Sequence, residues 1–319
     1  MRISVAMATY NGEEFIIEQL DSLLSQTMNI DEVIICDDCS KDNTYQIIKS
    51  YIKKNKLEKS WHIYLNESNK GYANNFYSAL YKATGDYVFL CDQDDIWEND
   101  KIELMVNTME KNKNIQMLGS DFEPLYSSND APIISKKTLK LMKNDGSLEH
   151  IILDRKSIFI GSEGCTMCLR KKFLDTIQKY WFSGWPHDEY VWKLSLCLDG
   201  CYILHKNTLK RRLHSNNVSK RKMHDVKVRI SFLENLLKSH KAMLKFAEDL
   251  RLDNKLKKLI NKNIKSVEIR LNLLYTSKII YIIKSIPYLK YFYSKKSLLV
   301  ESCMAIKNKK KLSGEKNEI

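Results

Sequence analysis

The sequence predicts an α/β fold, with a mostly parallel central sheet flanked by helices and a basic, helical extension at the C-terminus. Three observations lead there. Short apolar runs alternate with helix-period segments through the first hundred residues. Each run ends in a polar cluster, and open parallel sheets bind ligands beyond the C-terminal ends of their strands. Charge is divided unevenly: residues 220–319 hold 25 Lys and Arg against 9 Asp and Glu, a net +16, whereas residues 1–219 carry −3.

The elements follow in order. Ile3–Ala8 is a strand. Glu13–Ser25 places Phe15, Ile16, Leu20, Leu23 and Leu24 at helical spacing. Glu32–Cys36 is a second strand, closed by Asp37-Asp38, and Thr44–Lys54 is a helix with Ile47, Ile48, Tyr51 and Ile52 on one side. Strand Trp61–Leu65, helix Tyr72–Ala83 and strand Tyr87–Cys91 complete the alternation, and Lys101–Met109 forms the next helix body. The stretch from about Gln116 to Leu213 is less regular. It offers a loop and strand over Gly161–Leu169, a helix over Tyr190–Leu198 and a strand over Cys201–Leu204. From about Val226 the chain reads as Lys-rich helix.

A chain of 319 residues that is 44% hydrophobic builds a real core, which excludes global disorder. Met1-Arg2 runs directly into a strand, so no secretory leader is expected, and no run reaches the roughly 18 apolar residues of a membrane span. The eight cysteines suit reduced thiols in a cytosol. Cys36 and Cys39 have CxxC spacing, but no second pair follows to complete a zinc site.

The densest chemical signal is Asp92-Gln93-Asp94-Asp95, three carboxylates in four residues directly after a strand. Like charges repel, and a divalent cation relieves them. The competing reading is an acidic turn in which Asp95 caps the helix that follows.

Four blocks together resemble family 2 glycosyltransferases of the GT-A fold, a Rossmann-like arrangement. They are Ser4–Gly12 (SVAMATYNG), Cys36–Thr44 (CDDCSKDNT), Asn69–Asn75 (NKGYANN) and Asp92–Asp95. Cys91–Trp97, Pro186–Trp192 and Arg212–Asn217 are similar to that family's bacterial rhamnosyltransferase-like branch. The resemblance implies a glycosyltransferase domain over 1–219, with a nucleotide-binding half at 1–110 and an acceptor half at 111–219. Residues 220–319 remain as the basic helical region. Cys39 stands where this family commonly has Gly, and left-handed backbone there costs about 1 kcal/mol. No QxxRW motif of processive members is present, which favours transfer of a single sugar.

The roles implied are those of an inverting enzyme. Mn2+ or Mg2+ would neutralise the leaving diphosphate. Asp94 would ligate the ion, Asp92 would lie near the ribose or the metal, and His214 would complete the metal shell or touch phosphate. Asp38 would accept a hydrogen bond from a pyrimidine N–H, or merely form a turn with Ser40. Tyr10 would flank the base, with Ala8 and Thr9 offering backbone groups. Asn69, Gly71 and Asn75 would touch the nucleotide or cap the following helix. Arg211 and Arg212 would hold diphosphate. Asp188 would be the general base that activates the acceptor, with Glu189 as rival and an N-cap as the structural alternative. Trp185 or Trp192 would stack on a sugar face.

The expected partners are a UDP- or dTDP-sugar and a glycan or lipid-linked acceptor. The segment Lys278–Lys296 mixes apolar and basic residues, as suits an anionic membrane surface, so the expected location is cytoplasmic and peripheral on the inner face. Two rivals remain. A nucleotidyltransferase would usually carry a Gly-rich basic phosphate loop that Ala8–Gly12 lacks, and a nucleic-acid-binding protein would not line its rim with aspartates.

Overall fold

The computed structural model describes residues 1–159, 161–215 and 225–314. It divides into two compact units, Met1–Ile152 with Ile160–Asn217, and Leu153–Phe159 with Val218–Ile319. The expected boundary at 219/220, and Asn216 and Asn217 of the resemblance motif, lie outside the described residues.

The first unit is built on one nine-stranded sheet. Its parallel half contains β1 (Ile3–Thr9), β2 (Glu32–Asp37), β3 (Trp61–Leu65) and β4 (Tyr87–Cys91), in the order β3-β2-β1-β4. Helices α1 (Ile16–Leu24), α2 (Thr44–Lys54) and α3 (Tyr72–Lys82) connect them. Val5, Ala6 and Met7 of β1 and Val88, Phe89 and Leu90 of β4 are all fully buried. Strands covered on both faces read as unbroken apolar runs, which is why they are legible in the sequence. The register pairs Thr9 with Asp37 and Met7 with Cys91, so the polar loops after β1, β2 and β4 emerge on one rim.

The sheet continues beyond β4 through five more strands, of which the sequence reading missed the first three in chain order and found the last two in part. The two-residue β5 (Ile96–Trp97) precedes α4 (Lys101–Lys111), and β6 covers Met117–Tyr126. The less regular stretch expected from about Gln116 thus opens with a strand, followed by α5 (Lys136–Leu141) and β7 (Leu148–His150). Then come β8 (Cys168–Arg170), α6 (Lys171–Ile177), α7 (His187–Cys197) and β9 (Cys201–Leu213). Strand β9 is far longer than the expected Cys201–Leu204. It pairs parallel with β6 and antiparallel with β7 and β5. Its charged stretch Lys206–Arg212 hides it from a hydrophobicity scan, and two register irregularities between β6 and β9 interrupt the alternation of faces.

The second unit is helical: α8 (Val226–Asp249), α9 (Asn254–Thr276), the short α10 (Ile280–Ser285) and α11 (Lys296–Gly314). Leu233, Leu236, Val267, Leu271, Leu274 and Met304 form its core. Among them Glu301 is fully buried, and one of its oxygens lies 2.7 Å from both Arg229 and Arg270. One carboxylate thus binds three helices.

Glu301→Ala should destabilise this unit by about 3–5 kcal/mol, because two buried guanidinium groups would lose their counter-charge. Urea unfolding followed by helical circular dichroism measures the loss. An unchanged midpoint would show that the triad is dispensable.

Candidate active site

The rim is organised by carboxylates that the chain's own backbone satisfies. Asp37 accepts from Thr9 Oγ1 at 2.8 Å and from the amide and hydroxyl of Ser40. The turn with Ser40 therefore belongs to Asp37 and not to Asp38. Asp38 is buried and latches the loop before α3: Lys70 N and Asn66 Nδ2 donate to Oδ1, and Gly71 N to Oδ2, each at 2.8 Å. A carboxylate offers about four lone-pair sites, of which these three donors use three. Cys39 takes the expected left-handed backbone, φ 61°, and its thiol lies 2.8 Å from Asn66 O.

Asn75 does not reach a ligand. It is 1% exposed, and its amide donates to Cys36 O while accepting from Asn66 Nδ2. The reading of Asn75 as a nucleotide contact is corrected: it braces the ends of β2 and α3. Asn69 is exposed but also holds the loop, donating to Asp38 O and accepting from Gly71 N. Gly71 is the N-cap of α3 at φ 80°, a conformation open to glycine. Ala8 is half-buried, Thr9 is buried, and Tyr10 presents an exposed ring. The Gln93 side chain clamps the Tyr10 backbone, accepting from its N–H at 2.8 Å and donating to its carbonyl at 3.0 Å.

Beyond β4 the aspartates separate by partner. Asp95 does not cap α4, where Asp100 occupies the N-cap position. Instead Asp95 is buried and its Oδ1 accepts from Arg212 N. Its Oδ2 is buried without an N–H or O–H donor and faces the Cys165 thiol. Burial first, then the charge of Asp94, pushes Asp95 up to about 7. Asp92 is raised well above the carboxylate range by burial and by the charges of Asp95 and Asp94. Asp94 is paired with His214, Oδ2 to Nε2 at 2.8 Å.

Asp92, Asp95 and Cys165 each bring a ligand atom within 4.8 Å of the others. Asp92, Asp94 and His214 form no such group among the described residues, which corrects the expected ligand set. The cause is β9, whose extension carries His214 onto Asp94 and Arg212 onto Asp95. A hard divalent ion fits the two carboxylates, one of which has an unsatisfied oxygen. The thiol fits it poorly, being soft and held protonated by burial.

The cations around this cluster are placed by the same strand and by α4. Arg212 is occupied elsewhere: it pairs with Glu18 at 2.6 Å, donates to Asp94 O and lies over the Phe15 ring. The reading of Arg212 as a diphosphate ligand gives way to a brace between β9 and α1. Arg211 pairs with Glu163 at 3.3 Å, and its charge also acts on Asp92 and Asp95. Lys101 is fully buried below them, donating to Cys165 O at 2.7 Å over the Trp97 ring. Burial lowers it to about 8.

The turn Gly164–Thr166 joins this cluster to the start of α7. A Cβ on Gly164 would lie 2.6 Å from His187 Nε2 and 3.4 Å from Asp188 Cβ. Asp188 stands in the first turn of α7, behind the N-cap Pro186, and its Oδ1 accepts from Glu189 N. Burial raises it to about 7. Its charge reaches Asp92. Glu189 pairs with the buried Lys193, which leaves Asp188 as the stronger candidate for a base. His187 stacks on Phe76 with ring centroids 3.7 Å apart, and burial lowers it to about 3. Trp185 and Trp192 are each 1% exposed, so neither can stack on a sugar in this structure. Sequence reasoning missed Cys165, Glu163 and Lys101. Only the Gly161–Cys168 block hinted at the first two.

Comparison with known proteins adds the following. Residues 4–175 match the family model described as "Glycosyl transferase family 2". An uncharacterized glycosyltransferase of Haemophilus influenzae is 29% identical over 68% of this chain and 67% of its own length. UDP-Glc:alpha-D-GlcNAc-diphosphoundecaprenol beta-1,3-glucosyltransferase WfgD of Escherichia coli is 33% identical over 48% of this chain and 60% of its own. Putative glycosyltransferase EpsE of Bacillus subtilis is matched over 42% of its length, so the chain spans between about two fifths and two thirds of these relatives. Among solved structures, S. aureus TarS 1–349 in complex with UDP-GlcNAc superposes with a TM-score of 0.58 at 17% identity, covering 91% of this chain and 90% of that one. The mannosyltransferase PcManGT of Pyrobaculum calidifontis, in complex with GDP-Man and Mn2+, superposes at 0.53 and 15%, covering 96% and 87%.

Asp95→Asn should stabilise the metal-free protein at alkaline pH. The folded state holds Asp95 at about 7 against 3.8 when free. Stability from its protonated form is therefore complete below pH 4 and lost as pH rises through 7. The Asn side chain keeps that neutral form, a gain on the order of 3 kcal/mol at pH 8. Thermal melts in EDTA at pH 4 and pH 8 measure it, and an equal effect at both would contradict this electrostatic account.

Proposed function

Because the chain belongs to glycosyl transferase family 2, we propose that it moves one sugar, with inversion, from a UDP- or dTDP-sugar to a glycan or lipid-linked acceptor of the bacterial surface. Its fold is the GT-A arrangement, with a helical C-terminal region. The observation that carries the reading is the pair of converging carboxylates, half-buried Asp92 and buried Asp95, at the C-terminal edge of the parallel half-sheet with Asp188 in electrostatic reach. The family match gives the nucleotidyltransferase and nucleic-acid readings no support.

The nucleotide would lie over the rim between the Asp38-latched loop and Tyr10. The last lone pair of Asp38 would accept from a uracil or thymine N–H, and the exposed Tyr10 ring would flank the base. Ala8 and Thr9 would frame it with backbone groups, beside Asn69 and Gly71. Asp92 and Asp95 would hold Mn2+ or Mg2+, which would supply charge neutralisation for the departing diphosphate. Arg211 would give further positive charge. Asp188 would take the proton of the acceptor hydroxyl as that oxygen bonds to the anomeric carbon and the carbon–diphosphate bond breaks on the opposite face. Burial keeps Asp188 basic enough for this near neutrality.

The relatives support a lipid-linked acceptor: the name of one specifies a diphosphoundecaprenol-linked sugar and UDP-Glc. A peripheral enzyme on the inner face of the cytoplasmic membrane would meet such an acceptor. A rhamnosyl donor is one dTDP-sugar in keeping with the sequence blocks.

Titration calorimetry with UDP and dTDP, in Mn2+ and in EDTA, should give metal-dependent binding that Asp92→Asn weakens at least tenfold. Absence of binding by either nucleotide with Mn2+ would overturn the reading. Asp188→Asn should lower kcat by about 10²–10⁴-fold with KM little changed. Wild-type kcat should fall below pH 7, as Asp188 takes up a proton. A flat profile between pH 6 and 8, or full activity in Asp188→Asn, would remove Asp188 from the mechanism.

A further inference from the structure

In the second unit a short run of isoleucines is turned outward. Ile279, Ile280, Ile283 and Ile286 are 61%, 47%, 59% and 56% exposed, while the small polar Ser285 among them is fully buried. At helical spacing Ile279, Ile283 and Ile286 fall within an arc of roughly 60°, with Ile280 beside it and Ser285 on the far side. A helix packed on a water-exposed surface is normally arranged the other way round. α10 contacts α9, with Ser285 buried and Tyr281 and Ile282 half-buried, while Ile280 and Ile283 stay exposed.

Charge says what covers them. Residues 269–300 contain Arg270, Lys278, Lys284, Lys290, Lys295 and Lys296 and no Asp or Glu. All five lysines are exposed, as is Tyr293. We propose that Ile279, Ile280, Ile283 and Ile286, framed by Lys278, Lys284 and Lys290, dock this chain on an anionic lipid bilayer.

Branched apolar side chains enter the acyl boundary, and lysines beside them pair with anionic headgroups. α10 has only six residues, and no helix among the described residues is long and apolar enough to cross a membrane, so the segment lies on the surface. A second copy of the chain is a poorer occupant, because a symmetric contact would oppose lysines to lysines. Nucleic acid would leave the isoleucines wet. The proposal deepens the lipid-linked reading of the acceptor, but vesicle binding can be scored without any sugar transfer.

The test is flotation of the full chain with vesicles of phosphatidylcholine alone and with 30% phosphatidylglycerol. Binding to the anionic vesicles only is expected. It should drop at least tenfold in Ile283→Asp/Ile286→Asp and in Lys284→Glu/Lys290→Glu, with unchanged circular dichroism and unchanged UDP binding. High salt should release the chain. Absence of binding to anionic vesicles would overturn the proposal, as would binding that survives the isoleucine variant. A concentration-dependent dimer in solution that Ile283→Asp/Ile286→Asp abolishes would instead assign the face to a second copy. Loss of nucleotide binding in wild type would count against the transferase reading alone.

Discussion

Three carboxylates within four residues, at the end of a strand buried on both faces, repel one another strongly, and much of the first unit answers that repulsion. Its solutions differ by residue. Asp94 is given to His214 and Asp95 to a backbone N–H of β9. Lys101 is buried beneath the group, and Arg211 acts on Asp92 and Asp95 from the side. The compensation is incomplete, since Asp92 and Asp95 keep a raised affinity for protons. That residual deficit of positive charge would favour a divalent ion at this place.

Strand β9 deserves the comparison with β4. Neither end of the site is built from local sequence. β5 is only two residues long, and it exists because Ile96 and Trp97 pair with Lys210 and Leu209. That pairing delivers Arg211, Arg212 and His214 to the aspartates from more than a hundred residues away. Long-range pairing of this kind leaves no periodic trace in either segment.

The sequence was therefore legible in proportion to burial symmetry. β1, β2 and β4 are apolar runs closed by polar residues, and their limits fall within a residue of the expected ones. β6 was missed because Gly119, Ser120, Asp121, Glu123 and Pro124 break up its apolar residues, and β9 was found only in part because it carries Lys206, Lys210, Arg211 and Arg212 within the strand itself. In the site, the blocks containing Asp38, Asp92–Asp95 and Asp188 were found, but not the partition of labour among them. Asn75 and Arg212 looked like ligand contacts because amide and guanidinium groups serve a backbone carbonyl or a carboxylate as readily as a substrate. Only the coordinates of their partners distinguish the two uses.

The Gln93 amide, which clasps the backbone of Tyr10 in both directions, has a consequence for divergence. It fastens the loop after β1 to the loop after β4, and Asp38 and Asn75 fasten the loops after β2 and before α3. That side of the rim is thus one interlocked piece, in which a substitution at any member disturbs the others. Among the described residues, Ser127–Ile151 makes no hydrogen bond to Tyr10, Asp38 or Asp92–Asp95. A lineage exploring new sugars or acceptors would find its freedom there, and could rewrite that stretch while the interlocked piece is inherited intact.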